Sequence, residues 1–205
     1  MIEFQGKPLL LHNILLCKKY GIEEIFINTH YLADQIKSYF RDGSEYGVRI
    51  RYSFEPELLG TAGALNNFKP YLESAPFFVL YGDNVSDYPL NELSKLQRDK
   101  NAIAAIGCHW LEDVSHSGVV ECGIDDRIHR FIEKPKNNET TSHWVNSSVY
   151  CLSPEIFSQI PKGYSDFGHN IFPPLIKNFE CYALCLRIKV RAFDTPELAK
   201  RSQNV

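Results

Sequence analysis

Apolar residues recur at helical spacing through residues 8–20 (Leu9, Leu10, Ile14, Leu15), and Gly21 follows as a residue suited to end a helix. Ile25–Ile27 is a short continuous apolar run, the pattern of a buried strand. A second helical period runs through Leu32, Ile36 and Phe40. Val48–Tyr52 alternates with period two, which predicts a strand with one polar face. Residues 61–72 read as a helix capped by Thr61. Phe77–Leu80 then reads as a strand covered on both faces, running into Gly82-Asp83.

This alternation of helix and strand implies right-handed crossovers and a largely parallel sheet. The pattern then changes. Ile103–Ile106 is a further buried strand, and Gly118–Cys122 and Arg127–Pro135 flank the turn Gly123–Asp126 as a hairpin. Trp144–Leu152 and Cys181–Arg187 read as strands; Pro154–Ile160, Phe167–Lys177 and Pro196–Ser202 read as helices. No repeat and no Pro/Gly/Ser-rich linker interrupts the chain, so a single domain over residues 1–205 is expected. Its class is α/β: a Rossmann-like mixed, mostly parallel sheet with helices on both faces and an antiparallel insertion.

The formal charge of −3 and a pI near 6.2 give no electrostatic case for nucleic acid or an anionic membrane. The apolar runs are too short to span a bilayer and no signal-peptide pattern opens the chain, which makes a cytoplasmic protein the expectation. The six cysteines form no C-x-x-C pair and sit mostly in strand-like runs, where reduced thiols act as small hydrophobes. The seven histidines show no metal-ligand spacing.

Three segments could carry chemistry. Asp83 stands where open α/β sheets place ligands, and an aspartate there can hold a divalent cation against phosphates; it can equally cap a turn. Glu55 to Leu65, containing Gly60-Thr61-Ala62-Gly63, joins a strand to a helix; its backbone N–H groups can face a ligand, or the glycines can serve an ordinary turn. Glu133-Lys134-Pro135 ends a hairpin strand as a hydroxyl- and phosphate-binding pair or as a solvated charge pair.

Taken in order, Gly6-Lys7-Pro8-Leu9, Glu55 to Leu65, Gly82-Asp83, Gly118-Val119-Val120-Glu121, Glu133-Lys134-Pro135, Val145-Asn146 and Asp194-Thr195-Pro196-Glu197 resemble the sugar-1-phosphate nucleotidylyltransferases, on the mannose-1-phosphate guanylyltransferase-like side of that family. The resemblance implies transfer of a nucleotidyl group from a nucleoside triphosphate to a sugar 1-phosphate, giving a nucleotide sugar and pyrophosphate, with Mg²⁺. Glu55, Gly60, Thr61, Ala62, Gly63 and Asp83 would bind the nucleotide, with Asp83 also the metal ligand. Gly118, Glu133, Lys134 and Asn146 would bind the sugar phosphate. Asp83 and Lys134 would carry the chemistry, an in-line attack that needs positioning and charge neutralisation rather than a protein nucleophile.

The chain departs from that pattern in three places. The family's Gly-rich phosphate loop and the strand before it precede the segment matching Met1-Ile2; without that central strand two neighbours would keep unpaired edges. The family's second metal aspartate falls on Ala192, and Asp194 lies two residues on, roughly 6–7 Å along a strand. Ser148 stands where related guanylyltransferases carry glycine. Impaired transfer is therefore expected, with a non-catalytic nucleotide-sugar-binding or regulatory homologue as the alternative. A glycosyltransferase fits less well, since the strand end reads Gly-Asp-Asn rather than Asp-x-Asp. The exposed edges are expected to be covered by a partner chain, as in a homo-oligomer, or by rearrangement, and a monodisperse monomer in light scattering would count against the partner version.

Overall fold

The computed structural model describes residues 1–136 and 138–193; the expected helix over Pro196–Ser202 and the Asp194–Glu197 segment lie outside the described residues. In chain order the elements are β1 (Glu3–Phe4), β2 (Lys7–Pro8), α1 (Leu9–Lys19), β3 (Glu24–Thr29), α2 (Ala33–Phe40), β4 (Arg49–Phe54), α3 (Gly60–Gly63), α4 (Lys69–Leu72), β5 (Phe77–Leu80) and β6 (Asn84–Ser86). They continue with α5 (Leu90–Asp99), β7 (Ala104–Trp110), β8 (Gly118–Cys122), β9 (Ile128–Glu133), β10 (Trp144–Leu152), α6 (Phe172–Asn178), β11 (Cys181–Leu186) and β12 (Val190–Ala192). Among the described residues two compact units form: one from residues 1–58, 81–87 and 190–193, the other from 59–80 and 88–189.

In the first unit, α1 buries Leu9, Leu11, Ile14, Leu16 and Cys17, and ends on Lys18 and Lys19, whose charges suit a helix C-terminus. Leu11 and Ile14 pack with Ile27, Phe40, Val48 and Ile50, where β3 and β4 pair in parallel. A second cluster joins Phe4, Leu9, Val85 and Phe193. β12 pairs antiparallel with β6, setting Ala192 opposite Asn84.

The second unit is built on a sheet of strand order β11-β7-β10-β8-β9. One edge of β10 carries β7; the other carries β8 at Val145 and β5 over Val149–Leu152. Helix α5 packs on this sheet through Leu90 and Leu93. The parallel share is smaller than the helix–strand alternation implies. Among the described residues β3–β4 and β7–β11 are parallel, while the β8–β9 hairpin and the β8–β10, β7–β10 and β5–β10 pairs are antiparallel. β5 is half-buried beyond Phe77 and has β10 as its one ladder partner among the described residues.

Three helical expectations change. Residues 61–72 divide into α3, a 3₁₀ turn over Ala64–Phe68, and α4; Leu59, not Thr61, holds the capping position. The reason is that the Thr61 hydroxyl is engaged elsewhere. Pro154–Ile160 forms a 3₁₀ turn, Pro154–Ser158. The Phe167–Lys177 segment opens as a π-helical turn, Phe167–Ile171, and α6 begins where Pro173 and Pro174 need no N–H partner. No helix among the described residues is long and apolar enough to cross a membrane. All six cysteines are free; those at 151 and 181 are buried in strands, and burial pushes both thiols up to about 12.

Candidate functional site

In the first unit, β6 starts from a tight turn. Asn84 N–H donates to the Tyr81 carbonyl at 3.3 Å, so Gly82 and Asp83 occupy the bend. Asn13, buried on α1, donates from its side-chain amide to the carbonyls of Tyr81 and Asn84, both at 3.1 Å. Leu10 lies over Gly82, 3.7 Å from where a Cβ would stand. Phe193 N–H donates to the Asp83 carbonyl at 3.0 Å, which fixes β12 beside the turn and makes Ala192 the paired neighbour of Asn84. The backbone of Asp83 is thus held on both sides, and a methyl group stands at position 192. No cluster of three or more metal-ligating side chains exists among the described residues. Asp83 is a carboxylate that could hold a Mg²⁺ ion against phosphate oxygens of a ligand. Glu55 is buried at 1 % exposure, its backbone N–H donating to the Thr29 carbonyl and its own carbonyl 2.7 Å from His30 Nδ1.

In the second unit, strand register gathers the expected sugar-phosphate residues. Gly118 of β8 pairs with Glu133 of β9. Val119 pairs with Val145 of β10, so antiparallel register brings Asn146 beside Gly118. The Glu133 carboxylate lies against two glycines: a Cβ would come within 2.8 Å of its Oε2 at Gly118 and within 2.4 Å at Gly168. Burial raises the Glu133 pKa above the ordinary carboxylate value; His169 pulls it back, Asp166 adds to the rise and Lys134 opposes it. Lys134 is exposed and left-handed (φ 50°) immediately before Pro135, a strained backbone for a lysine.

Asn146 donates to the Tyr150 hydroxyl at 2.7 Å and accepts from Ser148 N–H at 2.9 Å. These bonds cross an irregularity in the β10–β7 register between Asn146 and Tyr150. Ser148 is left-handed there (φ 57°), the backbone a glycine would adopt without strain. Tyr150, Phe167 and Phe172 are fully buried and in mutual ring contact at 5.0–5.1 Å, forming a rigid floor.

The Gly60–Gly63 segment folds onto residues 163–167 of the same unit. Ala62 and Gly63 N–H both donate to the Ser165 carbonyl, at 2.9 and 3.0 Å, so neither amide is open to a ligand. The glycines permit this contact, since a Cβ at Gly60 would stand 2.5 Å from the Ser165 carbonyl oxygen. The Thr61 hydroxyl donates to Asp166 Oδ2 at 2.7 Å and accepts from Phe167 N–H at 2.9 Å. Sequence reasoning missed Asn13, Tyr150, Asp166 and Gly168. The latent signal was Asp166-Phe167-Gly168 just before a proline-led helix, a capping residue followed by a residue that permits close packing.

Residues 1–189 match the family model described as nucleotidyl transferase. The chain belongs to that family. It is 37% identical over 191 residues to a UTP–glucose-1-phosphate uridylyltransferase of Synechocystis, covering 86% of this chain and 49% of that protein. It is 30% identical over 194 residues to a mannose-1-phosphate guanyltransferase of Saccharomyces cerevisiae, covering 91% of this chain and 52% of that one. This family member thus spans about half the length of the curated relatives it matches. The crystal structure of HddC from Yersinia pseudotuberculosis complexed with GMP-PN shares the fold, with a TM-score of 0.83 at 22% identity over 100% of this chain and 88% of that one.

Proposed function

We propose that this chain binds a nucleoside triphosphate and a sugar 1-phosphate, or the nucleotide sugar they form, and that it supports nucleotidyl transfer only weakly. The observation that supports binding is the register cluster of Gly118, Glu133 and Asn146, with the Glu133 carboxylate seated between two glycines. In this reading Glu133 accepts sugar hydroxyls and Lys134 pairs with the sugar phosphate. Glu55 and the segment of Gly60, Thr61, Ala62 and Gly63 face the nucleotide, the segment through its remaining donors and its carbonyls. Bound Mg²⁺ would neutralise phosphate charge, and Asp83 would be its protein carboxylate. Guanine or uracil nucleotides and mannose- or glucose-like sugars are the first candidates, from the relatives' names. The protein would act in the cytoplasm as a homo-oligomer.

Ala192 supports the second half of the proposal, because the family resemblance puts a metal-binding aspartate at this position beside the Asp83 turn. Removing one preorganised charge from a phosphoryl-transfer site typically lowers turnover on the order of 100-fold or more. A pyrophosphate-release assay with GTP, UTP or dTTP and mannose or glucose 1-phosphate is expected to give turnover at least that far below about 1 per second. Ordinary turnover with any pair would overturn the impairment. Absence of turnover with measurable nucleotide-sugar binding is the result expected of a binding or regulatory homologue.

A further inference from the structure

The stretch Gly163 to His169 touches both halves of the ligand-facing surface of the second unit. On one side it is zipped to the Gly60–Gly63 segment. Ser165 N–H donates to the Leu59 carbonyl at 2.9 Å, its carbonyl receives the Ala62 and Gly63 amides, and Thr61 bonds Asp166 and Phe167. On the other side Gly168 lies flush against the Glu133 carboxylate. Asp166 joins the two. Its Oδ2 takes the Thr61 hydroxyl, its Oδ1 takes His169 N–H at 3.1 Å, and its own N–H donates to Asn170 Oδ1 at 2.8 Å. A Cβ on Gly168 would stand 3.3 Å from Asp166 Oδ1 as well as 2.4 Å from Glu133 Oε2, so the two carboxylates share this glycine as a neighbour.

We propose that Asp166 is a positioning residue: by holding both Thr61 and the first turn after itself, it fixes the wall against which Glu133 is aimed, and so couples the nucleotide-facing segment to sugar recognition. This rests on the functional reading above. Asp166 touches no reacting atom in it. Its effect passes through Thr61 on one side and Gly168 on the other.

The test compares affinities of the full chain for GDP against GDP-mannose, and for UDP against UDP-glucose, by calorimetry. In whichever pair the wild type prefers the nucleotide sugar, Asp166→Asn and Thr61→Val are expected to cut that preference about tenfold, the scale of one hydrogen bond to a charged group. Thr61→Ser, which keeps the hydroxyl, is expected to retain it. A merely structural role would weaken both ligands alike and leave their ratio unchanged, and that result overturns the proposal. So does a serine variant that behaves like the valine one. If Asp166→Asn fails to fold, the Thr61 pair decides alone. If neither nucleotide sugar binds the wild type, the functional reading fails and this proposal falls with it; binding with an unchanged ratio removes the proposal only.

Discussion

Replacing Gly63 by alanine destabilises the chain by about 3 kcal/mol, the reverse of the gain of about 1 kcal/mol that helix propensity alone would give. Gly63 has ordinary helical dihedrals (φ −59°), so the backbone has no need of glycine. The space does. A methyl group there would stand 2.2 Å from the Gly163 carbonyl oxygen and 3.1 Å from Ser165 N, both backbone atoms. Relieving that overlap pulls the Ser165 carbonyl away from the Ala62 and Gly63 amides and leaves polar groups without partners. Gly21→Ala is the control. Its φ of +76° is strained for alanine, but nothing lies within 4 Å, so a loss of about 1–2 kcal/mol is expected. Denaturant unfolding of both variants measures the difference; a Gly63→Ala protein as stable as wild type would show that the 163–165 contact is not held.

Acidification from pH 6.5 to pH 4 lowers stability through His109 by up to about 3 kcal/mol. The imidazole is 7 % exposed on β7, with Nδ1 3.0 Å from the Ser147 hydroxyl, and burial lowers its pKa to about 4. The unfolded chain takes up this proton near pH 6.5, whereas the native state resists it until about pH 4. The unfolded state therefore binds more protons throughout that window, and stability falls with pH. His109→Asn, which keeps a partner for Ser147 without a titrating ring, is expected to flatten the pH dependence of the unfolding free energy by about one proton over that range. An unchanged slope would mean that His109 takes its proton as readily in the fold as in water. The location matters because Ser147 follows Asn146 in the irregular part of β10.

Much of this fold was legible because its elements obey their periods. The α1 helix and the β8–β9 hairpin follow from spacing, although α1 buries Leu11, Leu16 and Cys17 and exposes the expected Leu15; once β8, β9 and β10 are in register, Gly118, Glu133 and Asn146 must be neighbours. What local pattern could not show was tertiary competition. Thr61 looks like a helix cap in isolation and becomes a partner of Asp166, a residue 105 positions away. The amides of Ala62 and Gly63 look open at a helix start and are taken by Ser165. Helix α5 has no counterpart among the expected elements, although Leu90, Leu93 and Leu96 stand at helical spacing in its sequence. Asn13 sits within an apolar helical pattern that gives no sign of the Asp83 turn it holds from 68 and 71 positions away.

The most direct test is a calorimetric titration of the wild type and Glu133→Gln with GDP-mannose and with UDP-glucose, at pH 7 and pH 5. One of the two ligands is expected to bind the wild type, and the Gln variant to bind it about tenfold or more weakly at pH 7. Because burial raises the Glu133 pKa, wild-type affinity is expected to fall toward pH 5 as the carboxylate begins to take up its proton, while the variant loses that dependence. Absence of binding by either nucleotide sugar, or a Glu133→Gln protein that binds as the wild type does at both pH values, would contradict the site.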